Sequence, residues 1–238
     1  MIRGRETVVA VVLAAGSAVR MSGIDKMKAR LDGRSVLEWS ISALDACVEI
    51  DAIQLVAPEG DDGLLASVGR AAVRRSEFKV CPGGPSRAWS TLHGLRAASE
   101  GGFAWAVVHD GARPFVTADI VTRGLETARA SGAAIAAVAA TDTIQISDDA
   151  GIITESPRRE SVWMAQTPQI ARLDSLLAAH ERLRDRLDGF TDEASVLRET
   201  GHAVAVFEGS YSNIKITTAD DLETAQFIVD RLRSRQKA

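Results

Sequence analysis

The pattern of the chain predicts an α/β fold: a mostly parallel sheet with helices on both faces, interrupted by an inserted β-hairpin arm. Three observations predict it. Val8 to Leu13 is a run of β-branched and small apolar residues, as in a strand buried on both faces, and it ends in Ala14-Ala15-Gly16. Short apolar runs then alternate with helix-period segments, the order that builds a parallel sheet. Finally, Gly16, Gly83-Gly84 and Asp110 each lie just after a predicted strand. Ligands of such sheets bind beyond the carboxyl ends of the strands.

Taken in order, Ser35 to Cys47 has Val36, Leu37, Ile41 and Leu44 at helical spacing. Ile53 to Ala57 is a strand that ends before Pro58. Leu64 to Ser76 reads as a helix and Phe78 to Cys81 as a strand. Gly83-Gly84 forms a second tight turn before a helix from about Ser86 to Ala98. Trp105 to His109 is a strand, followed by Asp110-Gly-Ala-Arg113-Pro114. Thr117 caps a helix that ends near Gly132, and Ala133 to Val138 is the next strand. At Thr141 to Trp163 the alternation breaks: Thr-Ile-Gln-Ile-Ser, Asp-Asp-Ala-Gly and Ile-Ile-Thr-Glu read as a hairpin. Such an arm serves dimer contacts or covers a sheet edge. Gln166-Thr167-Pro168-Gln169 reads as a helix start with proline in its first turn, or as amides and a hydroxyl for a ligand. Arg172 to Leu187 is an amphipathic helix, Thr191 to Thr200 another, and Ala203 to Phe207 a strand. Asn213 to Ile216 is a short strand with Ile214 and Ile216 inward and Lys215 on the opposite side. Thr217 opens a final helix with Leu222, Ala225, Val229 and Leu232 on one face. No repeat or linker interrupts the pattern, so one domain is expected over residues 1–238, with the arm at about 141–163.

The chain has 238 residues, 46% hydrophobic and 25% charged, as a soluble globular protein does. Its net charge of −4 provides no basic field for nucleic acid, so a phosphate site must rest on local cations. Cys47 and Cys81 have neither disulfide-framework nor metal-ligand spacing and read as reduced thiols of a cytoplasmic protein. The basic start before Val8 imitates a secretion signal, but the apolar run is better explained as the first strand. No apolar stretch reaches the roughly 18 residues of a membrane span. Of 28 basic residues five are lysines, and Lys26 and Lys215 stand where a point charge has a use.

Small residues at Ala14, Ala15 and Gly16 let backbone N–H groups approach phosphates, and Arg20, Lys26 and Lys28 follow. The expectation is a nucleoside-triphosphate site, with a solvated surface loop as the alternative. It is neither a GxxxxGK[ST] loop nor GxGxxG, because Ala18 stands where a second glycine would be. Asp110 can hold Mg²⁺ together with phosphate oxygens, or pair with Arg113, which can itself bind an anion. His109 reads as a packed histidine and Thr191-Asp192-Glu193 as a capped helix start. Lys215 is an edge-strand lysine or an anion partner. The Arg158-Arg159 pair after the hairpin has a reason to exist if an anionic substrate comes to it.

Together these segments resemble the 2-C-methyl-D-erythritol 4-phosphate cytidylyltransferase family, from about Val8 to Val229. The likeness rests on Leu-Ala-Ala-Gly-x-x-x-Arg-Met at Leu13 to Met21, Lys26, Gly83-Gly84 with Arg87 and Ser90, and Val-His-Asp-x-Ala-Arg-Pro-Phe at Val108 to Phe115. Asp142-Thr143, Trp163 with Gln-Thr-Pro-Gln, Thr-Asp-Glu-Ala-Ser from Thr191 and Asn-Ile-Lys-Ile-Thr-Thr from Asn213 complete it. The resemblance implies a Rossmann-like domain whose hairpin arm joins two subunits, CTP and Mg²⁺, and attack by a sugar-alcohol phosphate on the α-phosphorus with pyrophosphate leaving. It implies that Arg20, Lys26 and Lys215 stabilise the transition state and that Ala14 to Gly16 lie along the triphosphate. Gly83, Gly84 and Ser90 would hold the cytosine; Asp110, Arg113 and Thr167 would serve the sugar phosphate or metal; Thr143 and Arg159 would reach the partner's site. The chain departs from the family pattern at Ala18, Asp25, Met27-Lys28 and Pro85-Ser86, which bears on the acceptor and the rate. Rival readings are a ribitol-phosphate cytidylyltransferase and a molybdopterin nucleotidyltransferase, whose Asp-Lys matches Asp25-Lys26 but whose likeness fades after the first third. A non-catalytic nucleotide-binding regulator is a further rival. A nicotinamide-dependent oxidoreductase is disfavoured by the missing glycines and by Glu38 falling within a predicted helix.

Overall fold

Val8–Leu13 forms β1, and all six residues are buried. Their alternation serves two cores. Val8, Ala10 and Val12 join one apolar cluster, and Val9, Val11 and Leu13 join another on the opposite face. The structure is a computed structural model that describes residues 5–16, 27–61 and 63–237. After β1 come β2 (Arg30–Leu31), β3 (Arg34–Ser35), α1 (Val36–Asp45), β4 (Ala52–Ala57), α2 (Leu64–Ala72), β5 (Glu77–Pro82), α3 (Arg87–Ser99) and β6 (Trp105–Asp110). Then follow α4 (Ala118–Ser131), β7 (Ala133–Ala139), β8 (Ile146–Ser147), β9 (Ile153–Glu155), β10 (Trp163–Arg172), α5 (Leu173–Arg182), α6 (Glu193–Glu199), β11 (Ala205–Glu208) and α7 (Ala219–Lys237).

Seven strands form the sheet in the order β11-β7-β10-β6-β1-β4-β5. Every strand but β10 points the same way; β10 is antiparallel to both β6 and β7. Helices α1, α2 and α4 pack on one face, α3, α5 and α6 on the other. The expected caps are present: the Ser35 hydroxyl accepts from Glu38 N–H in a capping box, and Thr117 accepts from Ile120 N–H. Helix α2 stops at Ala72, short of Ser76, because Val73 turns extended and the Asp45 carboxylate takes the N–H groups of Arg74, Arg75 and Ser76.

Three expectations need correction. Gln166 to Gln169 starts no helix; it lies inside the central strand β10. Pro168 is tolerated there because the pairing with β7 shifts register between Ala165 and Gln169, at an irregularity that needs no N–H from it. The helix from Arg172 breaks at Arg182, and a 3₁₀ turn, Arg184–Gly189, still brings Leu183 and Leu187 to the core. Asn213 to Ile216 forms no strand; Asn213 N–H turns back to Ser210 O and Ile216 N–H meets Ala112 O at single points. The hairpin arm is real but short: among the described residues β8 and β9 pair only with each other, and both are exposed.

A third apolar cluster sits near the strand ends. It gathers Ala29, Leu31 and Val36, Phe115, Ile216, and Ala225 and Val229 of α7. Through it α7 packs against the segment that follows residue 26 and against the neighbour of Lys215.

Candidate active site

The register of the sheet assembles the site. Leu13 at the end of β1 lies beside Asp110 at the end of β6, and Ala57 at the end of β4 beside Pro82 of β5. The loops that leave these strands therefore converge. Ala15 and Gly83 touch so closely that a Cβ on Gly83 would lie 2.2 Å from that of Ala15. Gly83 and Gly84 serve close approach. A Cβ on Gly84 would lie 2.5 Å from that of Trp89, and Gly84 N–H donates to Ser90 Oγ at 3.1 Å. Ser90 is buried, so its hydroxyl shapes this loop. Ala14 is buried, Ala15 half-buried and Gly16 exposed. Arg20, Lys26, Ala18 and Asp25 lie outside the described residues.

Asp110 is the centre of a cationic cluster. Its Oδ2 is 2.8 Å from Lys215 Nζ and 3.8 Å from Arg113 Nε, and its Oδ1 is 3.1 Å from Arg87 Nε. Burial pushes the Asp110 carboxyl up, but the charges of Arg87 and Lys215 outweigh it and hold it well below the usual carboxylate range. Asp110 is thus an anion at every working pH. Behind it, Arg87 grips Glu193 with both terminal nitrogens, at 2.8 and 3.1 Å. Thr91 Oγ1 donates to the same carboxylate at 3.0 Å.

Thr167 stands underneath. Its hydroxyl accepts Asp110 N–H at 3.1 Å and lies 3.0 Å from His109 Nδ1. His109 Nε2 is 3.1 Å from Arg113 O, an acceptor, so the ring proton belongs there and Thr167 donates to Nδ1. Burial lowers the His109 pKa to about 4, which keeps the ring neutral. Arg113 donates to Asn213 O at 2.7 Å, and Asn213 Nδ2 donates to Thr167 O at 2.8 Å. These bonds hold the Lys215 segment without a strand ladder.

Thr143 and Arg159 are exposed on the arm. Arg159 reaches the carbonyl of Thr141 at 3.5 Å, and among the described residues neither touches the Asp110 cluster of its own chain. Among the described residues, too, no three His, Cys, Asp or Glu side chains gather to hold a metal. Both Asp110 oxygens are already engaged by cations, so the described residues do not fit a metal resident in the protein.

Sequence reasoning missed the Arg87–Glu193 pair, whose members stand 106 residues apart. Glu193 carries a helix-start signal, which hides its second use. Nothing in the local sequence marks Glu193 as buried, so no signal there could have paired it with Arg87.

Small residues at the ends of β1 and β5 beside a cation cluster at the end of β6 fit one class of protein, an α/β nucleotidyltransferase. Residues 8–231 match the model of the 2-C-methyl-D-erythritol 4-phosphate cytidylyltransferase family, and the chain belongs to that family. The enzyme of that name from Clostridium botulinum (strain Loch Maree / Type A3) is 35% identical, over 93% of this chain and 97% of its own. The one from Dehalococcoides mccartyi is 36% identical over 96% and 98%. Among solved structures, the 4-diphosphocytidyl-2C-methyl-D-erythritol synthase of Anaerococcus prevotii superposes with a TM-score of 0.84 at 29% identity, covering 94% of this chain and 96% of that one. The Francisella tularensis cytidylyltransferase gives 0.76 at 30% identity, with 93% and 99% covered. The match spans nearly the whole chain.

Proposed function

We infer that this chain joins CTP to 2-C-methyl-D-erythritol 4-phosphate, giving 4-diphosphocytidyl-2-C-methyl-D-erythritol and pyrophosphate, in isoprenoid precursor synthesis. The observation that carries the site assignment is Lys215 Nζ held 2.8 Å from Asp110 at the end of β6. Two carboxylates, Asp110 and Glu193, face three cations, Arg87, Arg113 and Lys215, which leaves a net positive pocket for two phosphorylated substrates. In this reading Ala14 to Gly16 run along the triphosphate, Gly83 and Gly84 approach the cytosine, and Ser90 supports them. Asp110 accepts from an acceptor hydroxyl and Arg113 attracts its phosphate; Thr167 orients Asp110 from below. Lys215, with Lys26 and Arg20, faces the charge that redistributes around the α-phosphorus as the bond to pyrophosphate breaks.

Mg²⁺, if it takes part, would be supplied with CTP and would lower the charge repulsion of the triphosphate, with none of the described side chains needed to hold it. Two free cysteines are in keeping with a reducing cytoplasm, and among the described residues no helix is long and apolar enough to cross a membrane.

A homodimer completes the site. Ile146, Ile152 and Ile153 on the arm and Trp163 and Met164 at its base are exposed apolar side chains, more than an isolated hairpin carries without a partner. Arg159 and Thr143 then serve the other subunit's pocket. The test mixes Lys215→Ala with Arg159→Ala under subunit exchange. Shared sites restore part of the activity, because one site of each mixed dimer is intact. Sites built within one chain restore none, and a monomer by sedimentation would refute the dimer.

A further inference from the structure

Glu193 is 2% exposed at the first position of α6, yet its carboxylate does more than begin a helix. It receives a bidentate grip from Arg87 at 2.8 and 3.1 Å and the Thr91 hydroxyl at 3.0 Å. Because both terminal nitrogens of Arg87 are so occupied, Arg87 gives Asp110 a single N–H, from Nε to Oδ1 at 3.1 Å. Asp110 Oδ2 is thereby left to Lys215, at 2.8 Å. The start of α6 is itself fixed to the central strand: Gln169 donates to Asp192 Oδ2 at 3.2 Å and accepts Ala194 N–H at 3.0 Å. A rigid chain of contacts thus runs from β10 through Glu193, Arg87 and Asp110 to the Lys215 ammonium.

We propose that Glu193 is a positioning residue for Lys215, acting through Arg87 and Asp110. A guanidinium prefers a two-bond fork with a carboxylate. Without the charge of Glu193, the Arg87 fork turns onto Asp110 and competes with Lys215 for it. Lys215 then loses the partner that holds it toward the reacting phosphate. The effect on rate rests on the reading of Lys215 given above; the effect on the Lys215 ion pair does not.

The experiment is Glu193→Gln, alone and with Lys215→Ala, read in two ways. In kinetics, Glu193→Gln is expected to lower kcat by about tenfold with little change in the CTP KM, and to add nothing once Lys215 is alanine. Equal losses in both backgrounds overturn the proposal, as does an unchanged rate in Glu193→Gln when Lys215→Ala is itself slow. The second reading is NMR of protein whose five lysines carry ¹³C-methyl groups, with the Lys215 signal assigned by its absence from Lys215→Ala. That signal is expected to move toward those of exposed lysines in Glu193→Gln, and an unmoved signal overturns the proposal whatever the rates. If Lys215→Ala keeps full activity while the signal moves, the catalytic reading of Lys215 fails and the positioning of its ammonium stands. Should Glu193→Gln not fold, Thr91→Val removes one of the bonds to Glu193 and is expected to move the same signal part of the way; no movement there counts against the proposal.

Discussion

At Asp110 the decisive balance is between burial and charge. An unpaired carboxylate at this depth would cost several kcal/mol, and three cations around it reverse that cost. The pairing also fixes Lys215. Lys215→Ala is expected to lower kcat by orders of magnitude with a smaller change in the CTP KM; a loss confined to KM would assign Lys215 to ground-state binding. Asp110→Asn is expected to slow the reaction while leaving the midpoint of a Mg²⁺ titration in place, since both carboxylate oxygens serve cations of the protein. A raised metal requirement in that variant would return Asp110 to the metal. Gly83→Ala must push the first loop aside, because the new methyl would fall 2.2 Å from Ala15 Cβ. A raised CTP KM is the expected outcome, and unchanged kinetics would show that the two loops need not touch.

Among the elements, α7 has a role beyond covering apolar surface. Its Ala225 and Val229 share a cluster with Ile216, the neighbour of Lys215, and with Ala29 and Leu31, which follow the first loop. Asp221 of the same helix accepts the N–H groups of Thr217 and Thr218 at 2.8 Å. Val229→Ala is expected to cost about 2 kcal/mol and to speed hydrogen exchange at Ile216 N–H. Activity should then fall at urea concentrations below the global transition; coincident loss of activity and fold would separate α7 from the site. The sequence pattern placed Leu222, Ala225 and Val229 on the packed face of α7, but Leu232 on the same face is exposed, and the pattern could not tell which loop the helix clamps. It misread β10 because Pro168 argues against a central strand, and only the register shift beside it removes the conflict.

For the molecule as a whole, pH tests the buried imidazoles. Burial lowers both His109, to about 4, and His180 below the ordinary histidine value. In the unfolded chain a histidine takes up its proton near pH 6.5. Between there and pH 4 the unfolded state binds more protons than the folded one, so stability falls as pH falls. For His109 alone the contribution is on the order of 3 kcal/mol, fully present at pH 7 and lost by about pH 4. Denaturant midpoints of wild type and His109→Asn across that window check it: the variant is expected to show a shallower decline, and parallel curves would refute the assignment. The arm poses the other question at this scale, because the proposed dimer would cover its exposed isoleucines and give Arg159 a pocket to serve.

Legible in the sequence were the α/β order of elements apart from β10 and Asn213 to Ile216, and the strand ends at Gly16, Gly83 and Asp110; the fold gathers Arg113 and Lys215 around the last of these. Local signals suffice for the elements and the strand ends: a buried strand is a run of apolar residues, a cap is a side chain three residues from its N–H, and motif order survives without coordinates. The wiring between these residues comes from the fold. It turned β10 antiparallel, because no crossover helix separates it from β7 and a direct return runs the other way. It made Asn213 to Ile216 a clamped loop, with Lys215 directed at Asp110 by hydrogen bonds from Arg113 and Asn213. It paired Glu193 with Arg87 across 106 residues. Charges meet through space and carry no record of their partner in the local sequence. The same glutamate reads as a helix start along the chain and as part of an ion-pair relay in the fold.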